Sequence, residues 1–205
     1  MRGLQNLIPG GKDRRTVQEH ITRYLEPEEI YALLFRAEWP YKTRRDFYHR
    51  RDRALGALLF LTSGRINEIL RLRKSQFTVD EEDPDFLIIR DFWVSKRKKG
   101  KPHPILDIPL PRVGRLAPFT RLVEDYLALI KRDDALLFPF SKARAWDIIN
   151  TITGGGKGRR EEGVWCHWFR AQSLSFYINN VIRSALILSQ LRGIENPSPI
   201  AHYYR

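Results

Sequence analysis

Residues 58–72 read LLFLTSGRINEILRL, and the break in the middle of this stretch decides how the chain is to be folded. The apolar run from Ala54 to Leu61 has the length and composition of a buried helix. Thr62-Ser63-Gly64 then forces a turn. After it, Ile66, Ile69, Leu70 and Arg73 follow helical spacing, with the apolar members on one side and Arg71 and Arg73 left to solvent. Arg65 therefore stands at the corner where one helix stops and the next starts, with Glu68 three residues on. The plain reading is an ion pair between them. The chemical reading is an arginine positioned to share the charge of an anion.

Outward from this corner, residues 1–15 carry Pro9, Gly10, Gly11 and Lys12-Asp13-Arg14-Arg15 and read as a tail. Pro27, Glu28 and Glu29 open a helix through Ile30, Leu33, Leu34 and Ala37, with proline in the first turn and acids near the positive end. Trp39-Pro40 ends it, and residues 42–53 form a very basic connector into the apolar run. Residues 86–94 (FLIIRDFWV) and 105–110 (ILDIPL) are short and rich in β-branched and aromatic types, the pattern of two strands. The loop between them, residues 95–103, gathers Lys96, Arg97, Lys98, Lys99 and Lys101. Such a concentration of cations on one hairpin loop favours contact with a polyanion.

Leu122, Val123, Tyr126, Leu127 and Ile130 mark another helix, residues 142–152 a further one, and residues 167–191 a helical region with a break near Arg183. Gly154 to Gly158 lacks the GxxxxGK[ST] order and the preceding strand of a phosphate-binding loop, and it reads as a flexible connection. The expected fold is α+β and predominantly α-helical: one main domain with a small antiparallel β-sheet or hairpin.

Lys and Arg number 36 against 24 Asp and Glu, a net charge of +12 over 205 residues, which points to nucleic acid as partner. The single cysteine, Cys166, excludes an internal disulfide and a cysteine-rich zinc site. Adjacent helical residues point about 100° apart, so Cys166 and His167 do not face each other as a nucleophile and its base. Buried packing accounts for Cys166 instead. No apolar stretch reaches membrane-spanning length and no signal-peptide pattern opens the chain, so the expectation is a soluble, cytoplasmic, DNA-associated protein.

Arg65, Lys96, His167, Arg170 and Tyr203 together supply what phosphodiester transfer without a metal needs: two arginines for the phosphate charge, two proton carriers and a hydroxyl nucleophile. Several boxes support reading them as a set. The run Leu58–Leu72 resembles the signature of the tyrosine recombinases, or phage integrases, with Arg65 as first catalytic arginine and Glu68 three residues later. His167-Trp168-Phe169-Arg170 resembles that family's H-x-x-R box. Tyr203 follows Arg170 at close to the family's usual separation, with Gly193 in the place of its terminal glycine. The likeness extends over residues 25–205 and has an archaeal-integrase-like character.

The resemblance implies a catalytic domain at 25–205 behind a basic tail or linker at 1–24; the N-terminal DNA-clamp domain that members usually carry is expected to be absent, a departure from the family pattern. It also implies a site-specific recombinase in which Tyr203 attacks the scissile phosphate to give a 3′-phosphotyrosyl intermediate. Lys96 protonates the leaving oxygen, His167 assists proton transfer and Glu68 orients Arg65. Lys98, or Lys99 or Lys101, is an alternative to Lys96, and Tyr204 to Tyr203. Ile194 stands where many members carry histidine or tryptophan, so that contact is either missing or supplied by another group such as His202. DNA contacts are expected from Arg97, Lys98, Lys99, Lys101, Lys157, Arg159 and Arg160. The implied partners are double-stranded DNA and further copies of the chain, with no cofactor, metal or ATP. Two other functions use the same features: relaxation of DNA in the manner of a type IB topoisomerase, and DNA binding by a catalytically impaired protein.

Overall fold

The computed structural model describes residues 24–79, 81–95, 102–156 and 163–182. Helix α1 (Pro27–Leu33) begins as its acids foretell, with the Glu26 amide donating to Glu29 Oε2 at 3.0 Å and Pro27 in the first turn. Arg115 bonds both Glu26 and Glu28 and, chiefly through its hydrogen bond, draws the Glu28 carboxyl down to about 2.

Helix α2 (Arg45–Thr62) is the central element, and it corrects the sequence reading. The expected basic connector at 42–53 is mostly its first two turns. These residues sustain a helix because their charges are answered. Arg50 pairs with Asp46 at 3.0 Å, Arg53 with Glu38 at 2.8 Å, and buried Arg51 with Asp52 at 2.9 Å. Tyr41 donates to Asp52 Oδ2 at 2.8 Å. From Ala54 to Thr62 every residue is buried, and this half packs against the helices that follow. Phe60 meets Phe119 with ring centroids 4.8 Å apart, and the Tyr177 hydroxyl donates to the Leu61 carbonyl at 3.0 Å.

Helix α3 (Ile66–Ile69) is only four residues, shorter than the spacing through Arg73 suggests. The chain leaves it because Leu72 and Arg73 are claimed by a crossing segment. The Leu137 amide donates to the Leu72 carbonyl at 2.9 Å, and Arg73 pairs with Leu136 in an isolated antiparallel bridge. Three antiparallel strands follow in the order β1 (Phe77–Val79), β2 (Phe86–Trp93), β3 (Ile105–Pro111). The two longer strands are those read from sequence. Their register sets Leu87 against Leu110 and Ile89 against Ile108, then slips at a bulge where Asp91 has φ 53°.

Helix α4 (Ala117–Leu127) starts five residues before the expected apolar stripe, with Pro118 in its first turn, and Leu129 and Ile130 lie in the tight turn after it. Helix α5 (Lys142–Ile152) has the expected bounds, its amino end capped by Ser141 Oγ accepting from the Arg144 amide at 3.2 Å. Helix α6 (Cys166–Tyr177) continues into a π-helical turn, Ile178–Ile182. The break expected near Arg183 lies outside the described residues. No described helix is long and apolar enough to cross a membrane.

Candidate active site

The corner at 62–65 is built by hydrogen bonds that the residue types make possible. Thr62 Oγ1 donates back to the Leu58 carbonyl at 2.7 Å and accepts from the Gly64 amide at 2.9 Å. Ser63 is buried in the left-handed region at φ 53°. Gly64 is needed for room, since a Cβ there would lie 2.7 Å from Thr62 Oγ1, 2.8 Å from Ile69 Cδ1 and 3.1 Å from the Phe92 ring.

Helix α6 clasps this corner from the far end of the sequence. The Ser63 and Ser173 hydroxyls share a hydrogen bond of 2.5 Å, and buried Arg170 donates through Nη1 to the Ser63 carbonyl. Arg170 is thereby fixed to the peptide two residues before Arg65. The start of α6 is itself set by Thr153, whose Oγ1 accepts from the Val164 amide at 2.9 Å.

Glu68 holds Arg65 in place. Its side chain is 2% exposed, and its carboxylate receives four hydrogen bonds. Oε2 accepts from the Arg65 amide at 2.6 Å, while Oε1 accepts from Arg65 Nη1 at 3.0 Å, the Ser95 amide at 2.9 Å and Ser95 Oγ at 2.8 Å. Glu68 thus ties the arginine to the residue immediately before Lys96. With its oxygens occupied it serves as an orienting group. Ser95 was not singled out in the sequence, where its only signal is its place before the cationic run.

His167 is exposed and lies within electrostatic reach of both arginines. Its imidazolium is disfavoured, first by desolvation and then by the charges of Arg170 and Arg65, so its proton affinity falls below the ordinary histidine value. As the residue keeps solvent contact, repulsion from the two guanidinium groups is the firmer of these causes. Two guanidinium groups and an imidazole thus lie within electrostatic reach of one another, with a carboxylate turned to Arg65. An anion with several acceptor oxygens, such as a phosphodiester, matches that donor set.

Cys166 takes no part. It is buried, and desolvation pushes its thiol up to about 12, so it carries no thiolate at neutral pH. The glycine-rich segment follows helix α5 and not a strand, as the sequence order indicated. Among the described residues no cluster of three His, Cys, Asp or Glu is arranged to hold a metal.

Two structures of the XerH site-specific recombinase share this architecture. The post-cleavage complex with palindromic difH substrate is 18% identical, with a TM-score of 0.60 over 86% of this chain and 47% of that chain. The pre-cleavage complex with difH is 16% identical, with a TM-score of 0.58 over 87% and 48%. The XerA recombinase matches at 16% identity and a TM-score of 0.55, over 99% of this chain and 64% of that chain. The fold is that of the tyrosine recombinases. This chain spans about half the length of the XerH chains it matches. No protein-family profile and no curated protein sequence matches it.

Of the residues proposed for the site, the tyrosine recombinase fold brings together Arg65, Glu68, His167 and Arg170. Lys96, Lys98, His202, Tyr203 and Tyr204 lie outside the described residues, as do Arg97, Lys99, Lys101, Lys157, Arg159 and Arg160.

Proposed function

We propose that this chain is the catalytic part of a site-specific tyrosine recombinase, with the archaeal-integrase-like character of its motifs, in which residues 25–205 carry the chemistry. The observation that supports this most is the bond that sets Arg170 against the Arg65 corner, with His167 in electrostatic reach of both, in a fold shared with known recombinases. Arg65 and Arg170 take the nonbridging oxygens of the scissile phosphate and stabilise the charge of the pentacoordinate transition state.

Tyr203 attacks phosphorus, with Tyr204 as the other candidate. The tyrosine oxygen–phosphorus bond forms and the bond to the 5′ oxygen breaks, giving the 3′-phosphotyrosyl intermediate. His167, kept neutral by desolvation and by its cationic neighbours, accepts the tyrosine proton. Lys96, or Lys98 from the same loop, gives a proton to the leaving 5′ oxygen, and His202 supplies a further donor to the phosphate. The bond energy stays in the protein–DNA linkage, so a hydroxyl from another strand reverses the step and neither ATP nor a metal enters. The remaining cations of 96–101 and 157–160 bind the DNA backbone, copies of the chain assemble on the duplex, and the protein works in the cytoplasm.

Nicked duplexes drawn from DNA flanking the gene, incubated with the protein and run on a denaturing gel, test this. A covalent adduct lost with Tyr203→Phe and Arg65→Ala but retained with Tyr204→Phe is expected. Salt-dependent binding with no adduct from any such site selects a noncatalytic DNA-binding protein. Relaxation of supercoiled plasmid regardless of sequence selects a topoisomerase-like activity.

A further inference from the structure

Beside the Arg65 corner runs an open cleft of about 610 Å³, whose lining includes Arg65, Asn67, Arg71, Trp93, Ser95 and Lys142. Two of its cations come from different elements. Arg71 follows α3, and Lys142 opens α5. Both are exposed, and neither has an acidic partner among the described residues. The third cation lining the cleft does: Arg65 pairs with Glu68 at 3.0 Å. Two unanswered charges on one cleft repel each other until an anion enters.

Arg71 is also held in place. Its guanidinium carbon stands 4.0 Å from the centroid of the Trp93 ring, and the His103 ring packs against Trp93 at 4.7 Å. His103 is anchored in turn, its Nδ1 lying 2.9 Å from the Val94 carbonyl. A guanidinium stacked on an indole keeps the N–H groups at its edge available for a ligand, and less side-chain freedom is lost when they bind.

We propose that this cleft is a second phosphate site. Arg71 and Lys142 bind the DNA backbone phosphate next to the one received by Arg65, Arg170 and His167, with Trp93 as the support for Arg71. The proposal rests on the DNA-processing reading above. The cleft shares Arg65 with that site and is open, so it suits a polymer passing across both sites better than a small ligand enclosed in one. Two adjacent phosphates, one at each site, fix the line of the strand over the corner, which a single phosphate cannot do.

The test is the affinity for a short duplex of arbitrary sequence over a salt series, for the unaltered chain, Arg71→Gln, Lys142→Gln, the double variant and Arg71→Lys. Loss of one phosphate contact lowers the slope of log K against log salt by about 0.9. The double variant is expected to lose about that much, each single variant to bind more weakly at low salt, and Arg71→Lys to keep the slope. Arg132→Ala, an exposed residue paired with Asp134 at 2.7 Å and outside the cleft, is the control and leaves the slope unchanged. Thermal melting confirms that each variant is folded.

An unaltered chain that binds duplex with a slope the double variant preserves overturns the second site and leaves the recombinase reading intact. No salt-dependent binding by the unaltered chain removes both. A thermal shift with inorganic phosphate that the double variant loses, with its DNA slope unchanged, assigns the cleft to free phosphate and also overturns the proposal.

Discussion

Glu68→Gln tests whether the carboxylate tie between Arg65 and Ser95 is what holds the corner in shape. The substitution preserves volume and changes one oxygen into an NH₂ group. If the amide oxygen takes the Oε1 position it still accepts from Arg65 Nη1, the Ser95 amide and Ser95 Oγ, and the NH₂ then faces the Arg65 amide, which donated to Oε2 at 2.6 Å. The reverse orientation sets the NH₂ against three groups, of which only the serine hydroxyl can turn to accept. The first orientation is therefore the lesser loss. An unsatisfied buried donor costs about 1–3 kcal/mol, and the hydrogen bonds that remain lose their charge assistance, so the sum is about 3 kcal/mol. For a chain of this size each kcal/mol lowers the melting midpoint by about 2–4 °C, so a fall of about 6–12 °C is expected. Ser95→Ala removes only the 2.8 Å hydroxyl bond and keeps the amide bond, a loss of about 1 kcal/mol. Calorimetry or circular dichroism on the three proteins gives the order: unaltered, then Ser95→Ala, then Glu68→Gln. A Glu68→Gln midpoint within about 2 °C of the unaltered chain refutes the reasoning, because solvent would then have to be satisfying the corner.

Gly64→Ala drives a methyl group against Thr62 Oγ1 and Ile69 Cδ1, and a loss of about 1–3 kcal/mol in urea unfolding, together with weaker duplex binding, is expected. The buried thiol of Cys166, pushed up to about 12, stays unmodified by iodoacetamide at pH 8 in the native protein and reacts once urea unfolds it, which mass spectrometry reads directly. His167 titrates below the ordinary histidine value by NMR, and Arg170→Ala or Arg65→Ala moves it upward. Because the folded state binds its proton less readily than the unfolded chain does, the contribution of His167 to stability is complete above the unfolded value. It declines as pH falls from there toward the depressed folded value, and His167→Gln removes that part of the slope.

Elements whose signals are local were legible in the sequence. Strands β2 and β3 show as β-branched and aromatic runs, and α5 shows from the spacing of Trp146, Ile149 and Ile152. The basic half of α2 hides its helix because its stability comes from partners elsewhere: Glu38 for Arg53, and Tyr41 for Asp52. Strand β1 has three residues, two of them exposed, too few for an alternating pattern. Within the site, Arg65, Glu68, His167 and Arg170 could be named from spacing and resemblance. The bond from Arg170 to Ser63, the role of Ser95 and the Arg71–Trp93 stack depend on residues far apart in the chain, and no window of sequence displays them.

Arg170 and the carbonyl it binds are 107 residues apart in the chain, and this separation has a consequence for synthesis. When the ribosome has released the corner at 62–65, the helix that completes it has not yet been made. The nascent chain carries Arg65 but not the second guanidinium or the imidazole. Any chemistry that needs both arginines is therefore silent until α6 has been made and docks on the corner. For a protein whose proposed reaction cuts DNA, the order of its residues is itself a safeguard.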